Sequence, residues 1–321
     1  MSASLAGDDP FVSIIVPSFN SANTVEDCLN SLVSQTYAKD RFEVILVDNG
    51  SQDGTCDLVR TSFPWVKMVH CEEKGSGFAR NAGIREAHGE LILSTDSDCV
   101  IDKNWVMSYV QLFQAAPHSV AAIGGNIAPY SLRTAVERFE PAWVGQPDQS
   151  GTGRRIRYVA TPNAAFRRSA LDVVGGFDGD SGHDDTDLGI RLIAAGFEIR
   201  YTDQAVVKHR NPKTIVELYG HREKYGARNL ILGLKHPLVL GDPLSPGSER
   251  ELLWATTRRV LGDVLMKFPK SLLWKPKARP RVWPLIDAVM AVGNFAGFYR
   301  AARAERANRA AVSDNPNTAT P

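Results

Sequence analysis

Four short apolar runs in the first hundred residues alternate with stretches of helical spacing. Phe11–Val16 is β-rich and is stopped by Pro17. Val25, Cys28, Leu29, Leu32 and Val33 recur at helical spacing behind the cap-like stretch Ser21–Thr24. A second run, Phe42–Val47, ends at Asp48-Asn49-Gly50. Helix Thr55–Thr61, strand Val66–His70, helix Phe78–Ala87 and strand Leu91–Leu93 follow. Continuous apolar strands between helices predict an α/β fold with a parallel sheet covered on both faces and right-handed crossovers. In open sheets of this kind the ligand crevice lies beyond the carboxyl ends of the strands. The unusual polar groups sit there: Ser18-Phe19-Asn20 after the first strand, Asp48-Asn49 after the second, Asp96-Ser97-Asp98 after the fourth. Their shared position predicts one site.

Asp96 and Asp98 are spaced i, i+2 at a strand end, so both can face one side. Carboxylates placed there need a cation or a full set of hydrogen bonds, and hard oxygen ligands suit Mg²⁺ or Mn²⁺. Asp48 can accept hydrogen bonds from a nucleobase or ribose, while Asp53 reads as a turn residue that caps the next helix. Gly75-Ser76-Gly77-Phe78-Ala79-Arg80 resembles a dinucleotide-binding glycine loop. It has Arg80 where the third glycine belongs, and it follows the third strand rather than the first. Arg80 in the first helical turn opposes the helix dipole, which an anionic diphosphate nearby would offset. Asp184-Asp185-Thr186-Asp187 opens a helix. Capping explains some of these acids, and Asp187 suits a pair with Arg191 one turn on. That leaves Asp184 and Asp185 as candidates for a general base. His209 ends a later strand, where a neutral imidazole can complete a cation's coordination.

The chain of 321 residues can bury one large core, or one core and an appendage. A net charge of +1 excludes nucleic-acid binding by bulk electrostatics. The charge is uneven, however: from Arg250 onward there are 13 Lys and Arg against 5 Asp and Glu. Cys28, Cys56, Cys71 and Cys99 lack metal-ligand spacing and suit reduced, buried thiols. Residues 1–10 are polar without an apolar signal core, so secretion is not expected. Val282–Tyr299 is interrupted by Pro284, Asp287 and Asn294 and does not suit a membrane span. After Trp105–Ala116 (helix) and Val120–Ile123 (strand), the Pro/Gly-rich stretch 126–157 suits a substrate-facing loop. Strand-like Phe197–Thr202 and Ala205–Lys208 follow, then a helix from Thr214 to about Leu230.

Together these segments resemble the family 2 glycosyltransferases, inverting enzymes of the GT-A fold. The resemblance is carried by Val12–Asn20, Asp48-Asn49-Gly50-Ser51 with Asp53-Gly54-Thr55, Gly77 with Ala79–Gly83, Asp96-Ser97-Asp98, Asn163, Gly175-Gly176-Phe177, Asp184–Leu188, Arg191 and His209. It implies a mixed, mostly parallel sheet with helices on both faces, over residues 11–232. Residues 11–100 would form the nucleotide-binding half and 101–232 the acceptor and catalytic half. It further implies that Pro17, Ser18, Asn20 and Asp48 line the nucleotide pocket and that Arg80 lies near the ribose or diphosphate. Asp96 would contact ribose or metal, with Ser97 beside it, and Asp98 and His209 would hold Mn²⁺ or Mg²⁺. Asn163 would lie near the donor sugar or acceptor. Asp185 matches the usual catalytic base, and Asp184 stands where the family often has Glu. The Gln-x-x-Arg-Trp motif of processive members is missing, and His221–Gly226 stands in the corresponding helix. That points to transfer of a single sugar.

The expected partners are a UDP-, GDP- or dTDP-sugar donor and a glycan or lipid-linked acceptor, with no nucleic acid. Residues 233–305 read as a basic, apolar helical extension and 306–321 as a disordered tail. In the extension Lys267, Lys270, Lys275, Lys277, Arg279 and Arg281 crowd Trp274 and Trp283, with Leu272, Leu273, Leu285, Ile286, Val289 and Met290 supplying apolar surface. This predicts a cytoplasmic protein held peripherally on the anionic inner face of the plasma membrane. The competing expectation is that these residues pack internally. A nucleotidyltransferase should carry a basic glycine loop after the first strand, where Ser18-Phe19-Asn20-Ser21 stands instead. A non-catalytic nucleotide-sugar-binding or membrane-assembly protein would tolerate loss of the acids, which are present.

Overall fold

The computed structural model describes residues 9–139, 158–180, 183–245, 248–267, 269 and 282–313. They divide into two compact units, one within Met1–Ser131, Trp143–Asp180 and Asp184–Arg210, the other within Leu132–Ala142, Ser181–His183 and Asn211–Pro321. Among the described residues the strands are β1 (Val12–Ser18), β2 (Phe42–Asp48), β3 (Lys67–His70), β4 (Leu91–Ser94), β5 (Cys99–Ile101), β6 (Val120–Pro129), β7 (Ala164–Arg167) and β8 (Glu198–His209). The helices are α1 (Val25–Val33), α2 (Thr55–Ser62), α3 (Ser76–Arg85), α4 (Trp105–Ala115), α5 (Ala135–Phe139), α6 (Arg168–Val174), α7 (Asp184–Ala194), α8 (Ile215–Lys235), α9 (Pro237–Leu240), α10 (Ser248–Leu261) and α11 (Trp283–Ser313).

The strands form one sheet in the order β3-β2-β1-β4-β7-β6-β8-β5. β3, β2, β1 and β4 run parallel. β7 is antiparallel to β4 and β6, β8 is parallel to β6, and β5 is antiparallel to β8. The sheet is thus mixed and mostly parallel. Alternate residues of β1 enter different cores. Val12, Ile14 and Val16 pack with Cys28, Leu29 and Leu32 of α1 and Trp105 and Tyr109 of α4. Ile15 packs with Ala79 and Ala82 of α3 and Leu188 and Leu192 of α7. The two-residue strand period therefore buries both faces, which explains why the strands read as continuous apolar runs. α3 lies close on the sheet because residue 83 is glycine: a Cβ there would fall 2.6 Å from Ile15 Cγ2.

Several elements differ from their sequence reading. β6, expected to end at Ile123, runs to Pro129, and α5 forms at Ala135–Phe139, both within the stretch 126–157 expected as a loop. β5 was not legible, because three residues carry no period and its pairing partner, β8, lies a hundred residues away. The segments 197–202 and 205–208 form one strand, whose pairing with β6 shifts register between Gly124 and Asn126. The helix expected to end near Leu230 runs to Lys235.

In the second unit Val136, Leu218, Ile286 and Met290 form a small core with Trp283 packed against it. α8 starts at a capping box, in which Thr214 and Glu217 each accept from the other's backbone amide. This helix packs along α11 and belongs to the second unit. Pro284 sits in the first turn of α11, where proline starts a helix. That helix continues to Ser313, so residues 306–313 of the expected tail are helical, and residues 314–321 lie outside the described residues. So do residues 1–8 and 140–157, together with Lys270, Leu272, Leu273, Trp274, Lys275, Lys277, Arg279 and Arg281. No described helix is long and apolar enough to cross a membrane.

Candidate active site

The carboxyl ends of β1, β2 and β4 bring three of the marked loops together. After β1, Asn20 takes a left-handed conformation (φ 50°). That turn lets its amide donate to Ser51 Oγ at 2.9 Å, while its Oδ1 accepts from the Gln52 amide at 2.8 Å. Ser21 and Ser97 share a hydroxyl hydrogen bond of 2.7 Å, which ties the loop after β1 to the Asp96–Asp98 turn. Ser18 and Thr95, on neighbouring strand ends, bury hydroxyls that have no partner among the described residues. Pro17 lies within β1, opposite Val47 of β2.

Asp48 is buried and uses both oxygens locally, accepting from the Gly50 amide at 3.2 Å and the Ser51 amide at 3.1 Å. His70 Nδ1 lies 3.3 Å from its Oδ2. Burial alone would raise this carboxyl, but the Ser51 and Gly50 hydrogen bonds outweigh it and hold it below the usual range. Asp53 accepts from the Ala22 and Thr55 amides in the turn before α2, whose N-cap is Gly54 rather than Asp53.

Arg80 is the centre of the site and only 3% exposed. Its Nη2 donates to Asp96 Oδ1 at 2.8 Å, its Nη1 to Asp184 Oδ2 at 2.7 Å and its Nε to Ser94 Oγ at 3.2 Å. The guanidinium also lies over the Phe177 ring, 5.7 Å from its centroid. Burial would favour discharge, but Asp184 and Asp96 outweigh it, so Arg80 stays charged. Gly77 permits this approach, since a Cβ there would sit 3.2 Å from Asp184 Cβ. The expectation that Arg80 is available to a diphosphate meets a guanidinium already shared between two carboxylates.

The acidic cluster therefore divides by role. Asp184 is bound to Arg80 and also accepts from Ser76 Oγ at 3.1 Å. Asp187 is fully buried and pairs with Arg191 Nε at 2.7 Å, as its spacing predicts. Asp185, half-buried between them, accepts only from Thr186 through Oδ1 among the described residues. Burial, and then the charge of Asp184, push its carboxyl up to about 7.

β5 and β8 pair Cys99 with His209, which sets Asp98 beside the imidazole. Asp98 Oδ2 lies 3.7 Å from His209 Nε2, and with Cys99 Sγ these ligand atoms all lie within 4.8 Å of one another. Burial raises the Asp98 carboxyl, eased by His209 and reinforced by Asp96, whereas a cation would lower it. Burial pushes the Cys99 thiol well above its usual range, and of the three donors a hard cation favours the carboxylate oxygen and imidazole nitrogen over sulfur. That donor set fits Mn²⁺ or Mg²⁺. Asp96, expected with them, turns its Oδ1 to Arg80 and is not one of this close group.

Asn163 corrects the sequence reading. It is 1% exposed, and its side chain is saturated by protein. Oδ1 accepts from Trp105 Nε1 and Tyr109 Oη, each at 2.7 Å, and Nδ2 donates to the carbonyls of Asn126 and Ala205. It braces β6, β8 and α4 and has no capacity left for a sugar. Sequence reasoning also missed Ser21 and Arg210. Arg210 donates to the Asp98 carbonyl at 3.3 Å, pairs with Asp27 and lies 4.0 Å from the Tyr130 ring centroid. Its position directly after His209 was the only available signal.

The sheet and the acids at its carboxyl edge define a GT-A-type glycosyltransferase fold. The chain superposes with a TM-score of 0.56 on the mannosyltransferase PcManGT from Pyrobaculum calidifontis, solved with GDP-Man and Mn²⁺, at 22% identity over 96% of this chain and 82% of that one. The sequence model of glycosyl transferase family 2 matches residues 13–175, half of the chain, and the chain belongs to that family. It is similar to glycosyltransferase AglE of Haloferax volcanii, at 35% identity over 52% of this chain and 56% of that protein. It is also similar to the poly-β-1,6-N-acetyl-D-glucosamine synthase of Staphylococcus epidermidis, at 27% identity over 73% and 58%. The chain thus spans somewhat more than half the length of these relatives.

Proposed function

We propose that this protein transfers one sugar from a UDP-, GDP- or dTDP-sugar to an acceptor hydroxyl, with inversion, in the synthesis of a cell-surface glycan. One observation carries the reading: a single buried guanidinium joins Asp96, beyond β4, to Asp184, at the start of α7. The donor-side acids and the candidate base therefore share one site. Asp185 takes the proton from the acceptor hydroxyl, which attacks the anomeric carbon opposite the departing nucleoside diphosphate. Asp184, fixed by Arg80, sets the position of that base. Asp98 and His209 would hold Mn²⁺ or Mg²⁺, whose charge would offset that of the leaving diphosphate. Asp48 and the turn Ser18–Asn20 face the nucleoside.

The metal-bound neighbour and the family membership support donor and cation. The acceptor is a glycan or lipid-linked sugar, and the protein works peripherally at the anionic inner face of the plasma membrane. Although one relative is named a polymer synthase, α8 here carries His221–Gly226 where the processive motif would stand, which favours a single addition. The test is a panel of UDP-, GDP- and dTDP-sugars with Mn²⁺, read by thermal shift and donor turnover. A true donor raises the melting temperature by mass action. Absence of both stabilisation and turnover across the panel would reject the proposal.

A further inference from the structure

The Asp98 and His209 donors stand on little backbone. β5 has three residues and lies at the edge of the sheet, and its ladder with β8 begins at Cys99 and His209. Asp98 itself precedes the strand. A short strand paired on one side only opens readily. Something beyond this ladder must hold Asp98 Oδ2 and His209 Nε2 at their separation of 3.7 Å.

Arg210 supplies that hold. It follows His209 directly, and its Nη1 turns back to donate to the Asp98 carbonyl at 3.3 Å. Its Nη2 pairs with Asp27 of α1, and the guanidinium lies 4.0 Å from the ring centroid of Tyr130, the residue after β6. The Tyr130 amide donates in turn to the His209 carbonyl at 2.8 Å. One guanidinium thus ties the ends of β8 and β6, the turn before β5 and helix α1 around the two donors. α1 is a firm anchor, because Cys28 and Leu29 are fully buried and Ser31 Oγ accepts from the Ile101 amide at 3.0 Å. The pair with Asp27 alone is a weak reason to fix this arginine, since that carboxylate is 51% exposed. A planar fork serves a carbonyl, a carboxylate and a ring together, which an ammonium cannot.

We propose that Arg210 is a positioning residue for the divalent cation: it holds the Asp98 turn against His209 so that carboxylate and imidazole converge on one ion. The inference rests on the cation site of the proposed function and adds a residue that donates no ligand atom, since a guanidinium has no acceptor to offer. Its effect therefore runs through the ligands, and the sign of that effect is diagnostic. As a mere charge, Arg210 repels a divalent cation, and its removal would tighten binding. As a brace, its removal loosens binding by about 10–100-fold, the usual weight of groups that orient metal ligands.

The test is titration of the full chain with Mn²⁺ and no donor, reading free Mn²⁺ by electron paramagnetic resonance at a temperature where circular dichroism shows every variant folded. Arg210→Met lowers the affinity about 10–100-fold, Arg210→Lys falls between it and wild type, and Asp27→Asn weakens binding by less than Arg210→Met. Arg167→Met is the control for stability alone. Arg167 also donates to backbone carbonyls, those of Val120, Phe113 and Ala116, and lies over the Phe113 ring, but it does so at the start of β6. That variant melts earlier and keeps its Mn²⁺ affinity. The melting-temperature shifts given by UDP and GDP without metal stay at wild-type values in Arg210→Met. Wild-type or tighter Mn²⁺ binding by Arg210→Met overturns the proposal, as does an equal loss in Arg167→Met. Should Arg210→Met fail to fold, unchanged affinity in both Arg210→Lys and Asp27→Asn overturns it. A lost UDP or GDP shift with Mn²⁺ affinity intact makes Arg210 a nucleotide contact and also overturns it. No Mn²⁺ binding by wild type removes the cation site and this inference together.

Discussion

Replacing Arg80 by methionine removes the guanidinium but keeps much of the apolar stem. It strands Asp96 and Asp184, whose side chains are 28% and 15% exposed. Removing one member of a buried ion pair costs about 3–5 kcal/mol. Partial exposure of both carboxylates lets water recover some of that, which places the expected loss near 3 kcal/mol. For a unit of this size that is a fall in melting temperature of roughly 6–12 °C. Arg80→Lys keeps the charge but cannot span two carboxylates with one ammonium, so it should lose about half as much. Thermal unfolding at low and moderate salt reads both variants. A second readout separates positioning from mere stability. The Arg80 charge lowers the Asp185 carboxyl, so the acid limb of turnover in Arg80→Met should move to higher pH. A methionine variant that melts within a degree of wild type and keeps its pH profile would refute the bridge as the organiser of the site.

Asp185→Asn should bind donor within a few-fold of wild type and lose roughly 10²–10⁴ in turnover; a larger loss in Asp184→Asn would mean the wrong acid is named. Because the Asp185 carboxyl sits near 7, wild-type turnover should fall as pH drops below about 7. The same shift makes the folded protein hold a proton that the unfolded chain has lost over roughly pH 4–7, so stability should decrease as pH rises through that window. Asp185→Asn should flatten that slope in urea unfolding. Asp98→Ala should leave the fold intact and abolish the Mn²⁺-dependent thermal shift; an unchanged shift would exclude Asp98 as a ligand. Asn163→Ala strands the buried Trp105 donor, while Tyr109 keeps the Asn163 backbone carbonyl at 3.1 Å, and should cost about 1–3 kcal/mol, with donor affinity of the folded protein unchanged, and a specific loss of affinity would return Asn163 to the site.

The sequence by itself determined what depends on local period and on chain order. The buried strands β1, β2 and β4, their helices, and the placement of Asp48, Asp96 and Asp98 at strand ends follow from apolar runs and turn residues, because a strand's period of two and a helix's period of 3.6 act over a few residues. The Asp187–Arg191 pair was legible for the same reason, being one turn apart. Only the tertiary structure decided which distant groups share a partner. Arg80 was read toward a diphosphate, but the sheet order and the Gly77 approach give it Asp96 and Asp184. Asn163 resembled a site residue, but its burial between β6, β8 and α4 uses up every hydrogen bond it can make. Asp98 meets His209 through the register of β5, a strand of three residues with no readable period. At the C-terminal end the composition announced cations and apolar residues without saying which faced inward. Packing in the second unit decided that for Ile286 and Met290, which join its core, because burial depends on the neighbour a helix face meets, and no residue encodes its neighbour alone.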